Sequence, residues 1–339
     1  MRSFASDNYA PAHPAVLAAI GEVNSEHQRA YGADEFTAAL ESRFQELFGE
    51  ATKSYLVWNG TGANVLALYS MLKPWEAVIC SNWAHINVDE GGAPERIIGC
   101  KLIDLPTKNA KLSPEQVAAA FIRTGDEHYA QPRVVSITQS TEYGTVYSVA
   151  EIKAIAEVAH ANNAFLHLDG ARLSNAAVAL NKSFKEITTD AGVDVVSFGG
   201  TKNGLINGEA VLFLNPALGD QVKHLRKSLM QLNSKMRYAS AQLLALLTDD
   251  LWRKNAEQAN AMAQLLAAQV SEIDGITITQ PVEVNAVFAL VPKSVSEKVS
   301  QEFPFYVWNE HTNEVRWMCA WDTTPKDVAD FVAAIKRAI

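Results

Sequence analysis

Residues 164–204 constrain the fold of this chain more than any other stretch. They read AFLHLDGAR, then a helical segment, then VDVVSFGGTKNG. The apolar run 165–168 delivers Asp169 to its carboxyl end, with Arg172 one turn further on. The run 193–198 delivers Lys202 inside a glycine-padded loop. Short apolar runs with β-branched residues read as buried strands of a parallel sheet. Ligands of such sheets sit beyond the carboxyl ends of the strands. One carboxylate, one guanidinium and one amine are therefore expected to face a single crevice.

A carboxylate on a buried strand needs a cation or hydrogen bonds to compensate its lost hydration. A lysine on a glycine-rich loop raises a similar demand, because burial lowers its pKa and makes the amine nucleophilic. An ion pair closing a loop is the commoner reading of an isolated Asp and Lys. Pyridoxal phosphate answers both demands at once, with an aldehyde for the lysine and a ring nitrogen for the aspartate.

The surrounding chain supports the second reading. The strand 54–58 (SYLVW) runs into Asn59-Gly60-Thr61-Gly62-Ala63-Asn64, which opens a helix. A strand, a glycine turn and a helix N-terminus make an anion site, with free N–H groups and a favourable dipole. A dinucleotide fingerprint is the alternative, but Asn82 and Trp83, about twenty residues on, include no acid for a ribose. The strand 77–81 leads to His85, on the same ligand side, although a lone histidine is more often structural. The strand 134–138 leads into a polar loop, 139–144. Strands and helices alternate from 54 to 213, which predicts a doubly wound, mostly parallel α/β domain. Residues 1–12 lack periodicity and are expected to form an arm, with the large domain at 13–245. From 246 to 339 the pattern changes to a small α+β module of short strands and helices.

Length and composition fit that picture. The chain has 339 residues, 48% hydrophobic and 20% charged, enough for a large core and a second, smaller one. A net charge of −9 without a Lys/Arg block argues against nucleic acid or anionic membrane as partner. Cys80, Cys100 and Cys319 show no metal-ligand spacing and suit a reducing, cytoplasmic compartment. No metal site is expected.

Taken together, Ser6-Asp7-Asn8, AYGADEFT, NGTGANVLAL, AH at a strand end, HLDGAR, GGTKNG and a late RWMCAWD resemble the L-threonine aldolase family, in its order and over nearly the whole chain. It is similar to the bacterial branch whose members act on L-threonine, L-allo-threonine and phenylserine-like β-hydroxy amino acids. The resemblance implies the aspartate-aminotransferase fold (type I), pyridoxal phosphate, and a homotetramer of paired dimers with sites at the dimer interface. It also implies cleavage of β-hydroxy-α-amino acids to glycine and an aldehyde. A β-eliminating lyase or an aminotransferase on the same scaffold is the alternative.

By that resemblance Lys202 is the Schiff-base lysine and Asp169 the partner of the ring nitrogen. Gly60 and Thr61 bind the phosphate, Arg237 reaches it from a neighbouring subunit, and His85 stacks on the ring. Ser6, Arg172 and Arg316 grip the substrate carboxylate, while Tyr31 and His128 line the substrate pocket. Where much of the family has an Asn-rich, His-containing loop, this chain has 139–144 with Glu142 in its middle. The base for the β-hydroxyl is therefore left open among His85, His128 and a water they position.

Overall fold

A computed structural model of the chain describes residues 2–339. Seven strands form its large sheet: β1 (Lys53–Val57), β2 (Glu76–Ser81), β3 (Lys101–Leu105), β4 (Gln131–Thr138), β5 (Phe165–Gly170), β6 (Val195–Gly199) and β7 (Glu209–Phe213). Their order is β1-β7-β6-β5-β4-β2-β3. The run from β6 through β5, β4 and β2 to β3 is parallel, and β7 lies antiparallel to both β6 and β1. This is the doubly wound, mostly parallel sheet that the apolar runs predict.

Alternation along each strand sends neighbours to opposite faces. Leu166, Leu168, Val196 and Phe198 enter one apolar cluster, whereas Val195, Val211 and Phe213 enter the other. The helix Glu35–Phe48 buries Leu40, Phe44 and Phe48 on the first face, where the Phe48 ring stacks on Phe184 at 5.1 Å. Asp34 caps that helix, accepting the Thr37 N–H at 2.8 Å. On the other face lies the helix Gly60–Met71. The glycine turn expected to precede it is its own first turn, because Asn59 caps the helix by accepting the Gly62 N–H at 2.8 Å.

A second sheet, antiparallel throughout, has the order β10-β11-β9-β8. Its strands are β8 (Thr277–Ile278), β9 (Ala286–Leu290), β10 (Tyr306–Asn309) and β11 (Glu314–Met318). The last helix, Pro325–Ala338, turns Val328, Phe331, Val332 and Ile335 onto the small core at helical spacing. The helix Leu251–Val270 serves both cores, since Trp252 belongs to the large one and Met262 to Val270 to the small one. The change of core therefore falls between 252 and 262, somewhat beyond 245. The N-terminal arm is tied to the small module: Met318 N–H donates to the Phe4 carbonyl at 2.8 Å, and the Phe4 and Phe331 rings stack at 4.3 Å. Among the described residues no helix is long and apolar enough to cross a membrane.

Candidate active site

The carboxyl edge of the parallel strands carries the candidate site. Register places Thr138, Asp169 and Ser197 side by side on β4, β5 and β6. Asp169 accepts from Asn64 Nδ2 at 2.8 Å on Oδ2 and from the Ala171 N–H at 3.0 Å on Oδ1. The Asn64 amide also donates to Glu90 Oε1 at 2.8 Å, and the same oxygen meets His85 Nδ1 at 2.9 Å. That bond to Glu90 raises the His85 pKa against the opposing effect of burial. Beneath the edge, His167 is buried between Ser136 Oγ (2.9 Å) and Ser197 Oγ (3.0 Å), and burial pushes its pKa down to about 4.

Lys202 sits on a single 3-10 turn, Thr201–Asn203, in the loop that joins β6 to β7. The antiparallel course of β7 brings its first residue, Glu209, to this edge, where Glu209 accepts the Gly200 N–H at 3.0 Å. Asn203 Nδ2 donates to the Trp252 carbonyl at 3.0 Å and Asn255 Nδ2 to the Asn203 carbonyl at 2.8 Å, which fixes the loop from behind. Burial, then the Arg172 charge, lowers the Lys202 pKa. Burial likewise pushes the Glu209 carboxyl up to about 7. A Cβ at Gly199 would come within 2.6 Å of the Ala171 carbonyl oxygen, so only glycine lets β6 pass this close to the HLDGAR turn.

These groups surround a cavity of about 440 Å³ lined by Gly60, Thr61, His85, Asp169, Lys202 and Glu209, among others. The Gly62 and Ala63 N–H groups are taken by Asn59, which leaves those of Gly60 and Thr61 as the uncommitted amides of the first turn. An anion fits there, an amine lies at 202, and a fixed carboxylate lies at 169. The donor set thus matches a phosphorylated aldehyde with a basic ring nitrogen.

The other expected residues divide. Arg172 lines a small chamber of about 50 Å³ beside the cavity, but its fork is occupied. Nε and Nη2 donate to Asp7 Oδ2 and Oδ1 at 2.7 and 2.8 Å, and Asn285 Nδ2 adds 3.0 Å to the same carboxylate. Burial disfavours the Asp7 charge, yet Arg172, Lys202 and Asn285 outweigh it and hold the pKa down at about 2. Among the described residues the Arg316 guanidinium has no hydrogen bond or ion pair and lines neither the cavity nor the chamber; it lies over the Trp308 ring at 4.7 Å and the Tyr306 ring at 5.9 Å. Ser6 caps the turn Asp7–Tyr9, accepting the Asn8 N–H at 3.2 Å, and opens onto a neighbouring cleft.

Three further expected residues lie away from the cavity of their own chain. Tyr31 is 53% exposed, in a left-handed turn, with Lys227 over its ring at 5.3 Å. His128 is exposed in the turn before β4, at the opposite end of that strand from Thr138, because the polar turn ahead of the strand carries it to the amino edge of the sheet. Arg237 starts the helix Arg237–Leu247 and donates to the Ser25 and Glu26 carbonyls at 3.2 and 3.0 Å, on a separate cleft. Conversely, Asp7, Asn64, Glu90, Glu142 and Glu209 are site residues to which the sequence reading assigns no role.

The description "Beta-eliminating lyase" fits residues 3–294 as a family model. The chain belongs to the β-eliminating lyase family. Within it, the full-length likeness is to threonine aldolases: the chain is 41% identical to the low specificity L-threonine aldolase of Pseudomonas sp. (strain NCIMB 10558), covering 100% of this chain and 98% of that protein. The enzyme of the same name from Pseudomonas aeruginosa is also 41% identical, over 99% of this chain and 97% of its own. The solved threonine aldolase of Leishmania major superposes with a TM-score of 0.93 at 29% identity, covering 99% of both chains. Aspartate aminotransferase from Thermus thermophilus, 14% identical, shares the fold with a TM-score of 0.71, covering 98% of this chain and 89% of that one.

Proposed function

We propose that this chain cleaves L-threonine, L-allo-threonine and related β-hydroxy-α-amino acids to glycine and an aldehyde, using pyridoxal phosphate. The observation that carries the reading is that Lys202 and Asp169 face one cavity at the foot of a glycine-started helix. Gly60 and Thr61 would hold the phosphate, Asp169 the ring nitrogen, Lys202 the aldehyde, and His85 would lie against the ring. When bound, the cofactor supplies an electron sink conjugated with the substrate amine.

The chain's own groups do the rest. Burial keeps Lys202 poised to lose its proton, so its amine can attack and later hand a proton on. Asn64 and Ala171 N–H hold both Asp169 oxygens still. Glu90 fixes the His85 ring by its Nδ1. Arg316, with its donors uncommitted, binds the substrate carboxylate, since a planar guanidinium matches that anion. Arg172 holds the N-terminal arm through Asp7 and offers only its remaining N–H groups to the substrate.

We infer a site shared between two copies of the chain, because Arg237 lies on a cleft separate from the cavity of its own chain; the pairing of such dimers into a homotetramer is proposed from the family resemblance alone. Three buried, unpaired cysteines accord with a cytoplasmic setting. Incubation with threonine tests the activity: glycine plus acetaldehyde is the expected product pair. Ammonia plus a keto acid would instead make the protein an eliminating lyase, the alternative that the family description keeps in view. Lys202→Ala should abolish both turnover and the visible absorbance of the holoenzyme, and retention of both would remove Lys202 from its role.

A further inference from the structure

The small chamber beside the cavity holds a carboxyl group that nothing above uses. It opens between Gly60, His85, Asp169 and Lys202 on the cavity side and Glu90, Ser140 and Glu142 on the other. Its volume, about 50 Å³, is enough to admit a hydroxyl group of a ligand seated in the cavity. Glu142 Oε1 is committed twice, accepting the His85 N–H at 2.8 Å and the Thr138 hydroxyl at 3.1 Å. Its Oε2 is buried without a partner, as are Glu90 Oε2 and Ser140 Oγ on the same walls. Buried polar atoms in native structures are almost always paired, so these atoms are arranged for a hydrogen that a ligand brings.

We propose that Glu142 is the base for the substrate's β-hydroxyl, accepting its proton on Oε2. The inference rests on the aldolase reading above. The O–H bond breaks and the proton passes to Glu142, while the oxygen's electron pair becomes the second bond of the aldehyde carbonyl. The Cα–Cβ bond breaks toward Cα, the future glycine carbon, which takes up a proton from the Lys202 ammonium. Exchange with solvent resets both groups, so no oxidant or reductant is needed.

The electrostatic surroundings suit this role. Burial, then the Asp169 charge, pushes the Glu142 carboxyl up to about 7, where it gives and takes protons near neutrality. The other groups facing it are Arg172, whose charge favours the ionised form, His85, Glu90 and Lys202 around the chamber, and Tyr147 and Cys80 behind. His85 keeps its ring Nδ1 on Glu90 while its backbone N–H holds Glu142 Oε1, so one residue positions both the imidazole and the base.

The test compares two reactions of the holoenzyme: cleavage of threonine, which needs a β-hydroxyl base, and exchange of the glycine α-hydrogen with deuterium, which does not. Glu142→Gln keeps the shape and removes the base, so the ratio of cleavage to exchange should fall by roughly a hundredfold or more. In wild-type protein the pH profile of cleavage should rise through about 7, and that of exchange should lack this limb. Infrared difference spectra of the cofactor-free protein, taken on either side of this pH, should show protonated-carboxyl intensity of which E142Q loses one part and keeps the part that belongs to Glu209. A ratio within about threefold of wild type, a limb common to both profiles, or a band as strong in E142Q as in wild type overturns the proposal alone. Wild-type protein that exchanges glycine but does not cleave threonine overturns the aldolase reading and the proposal with it. If E142Q fails to fold, the two wild-type profiles decide the matter without it.

Discussion

Two guanidiniums come from different sheets close enough to feel each other's charge, and they are treated in opposite ways. Arg172, just after β5, gives Nε and Nη2 to a buried carboxylate from its own chain. Burial works against its charge, but Asp7 more than offsets this and its pKa is raised. Arg316, on β11, is stacked on Trp308 and Tyr306 with no carboxylate to itself. Burial, then the Arg172 charge, lowers its pKa to about 10. An arginine whose partner is internal works as a clasp, here between the arm, the large sheet and, through Asn285, the small module. An arginine held only by ring faces keeps its N–H groups for an anion from outside.

The contrast can be broken by experiment. Asp7→Ala leaves Arg172 buried and unpaired, and should cost about 3–5 kcal/mol in chemical denaturation. A loss below about 1 kcal/mol would mean that the clasp is not one. Arg316→Gln should leave stability nearly unchanged and raise the KM for threonine roughly a hundredfold, the equivalent of about 2–3 kcal/mol for a charge-assisted contact. Equal losses of stability in the two variants would erase the distinction.

Acid separates the two arginines further. The Asp7 carboxyl is held near about 2 in the folded chain, below its ordinary value of 3.8. Its contribution, about 2 kcal/mol, is therefore complete above the unfolded pKa and is lost as pH falls through the folded one. Asp7→Asn should flatten the acid limb of a denaturation series below about pH 4, whereas Arg316→Gln should leave that limb intact. The smallest effect is expected for Trp308→Ala, which removes one ring from beneath Arg316. About 1 kcal/mol of cation–π attraction corresponds to a roughly fivefold rise in KM with kcat unchanged.

Much of the site was legible because its parts are local. Asp169 and Lys202 each follow an apolar run, and a parallel sheet needs no further information to bring them to one edge. The glycine turn after β1 was legible for the same reason. What escaped is what depends on distant pairing. Asp7 meets Arg172 across 165 positions and Asn285 across 278. A buried carboxylate in an aperiodic arm looks like any exposed aspartate until its partner is placed. Asn64 and Glu90 were visible as letters, but the bonds that join them to Asp169 and His85 span up to 105 positions. Tyr31, His128 and Arg237 mark the converse limit: resemblance gives them roles, while the geometry of a single chain puts none of them at its own cavity.

The reversed direction of β7 sets how firmly Lys202 is held. Because β6 and β7 are antiparallel neighbours, with Gly199 opposite Glu209, Lys202 rides on a hairpin tip anchored on both sides by paired strands. A crossover to a parallel strand would have hung the amine on a long, loosely held connection. The short span leaves little disorder to remove when a ligand arrives, so binding energy is not diverted into immobilising the nucleophile. The reacting nitrogen waits near its target, and the chain obtains that readiness from strand direction alone.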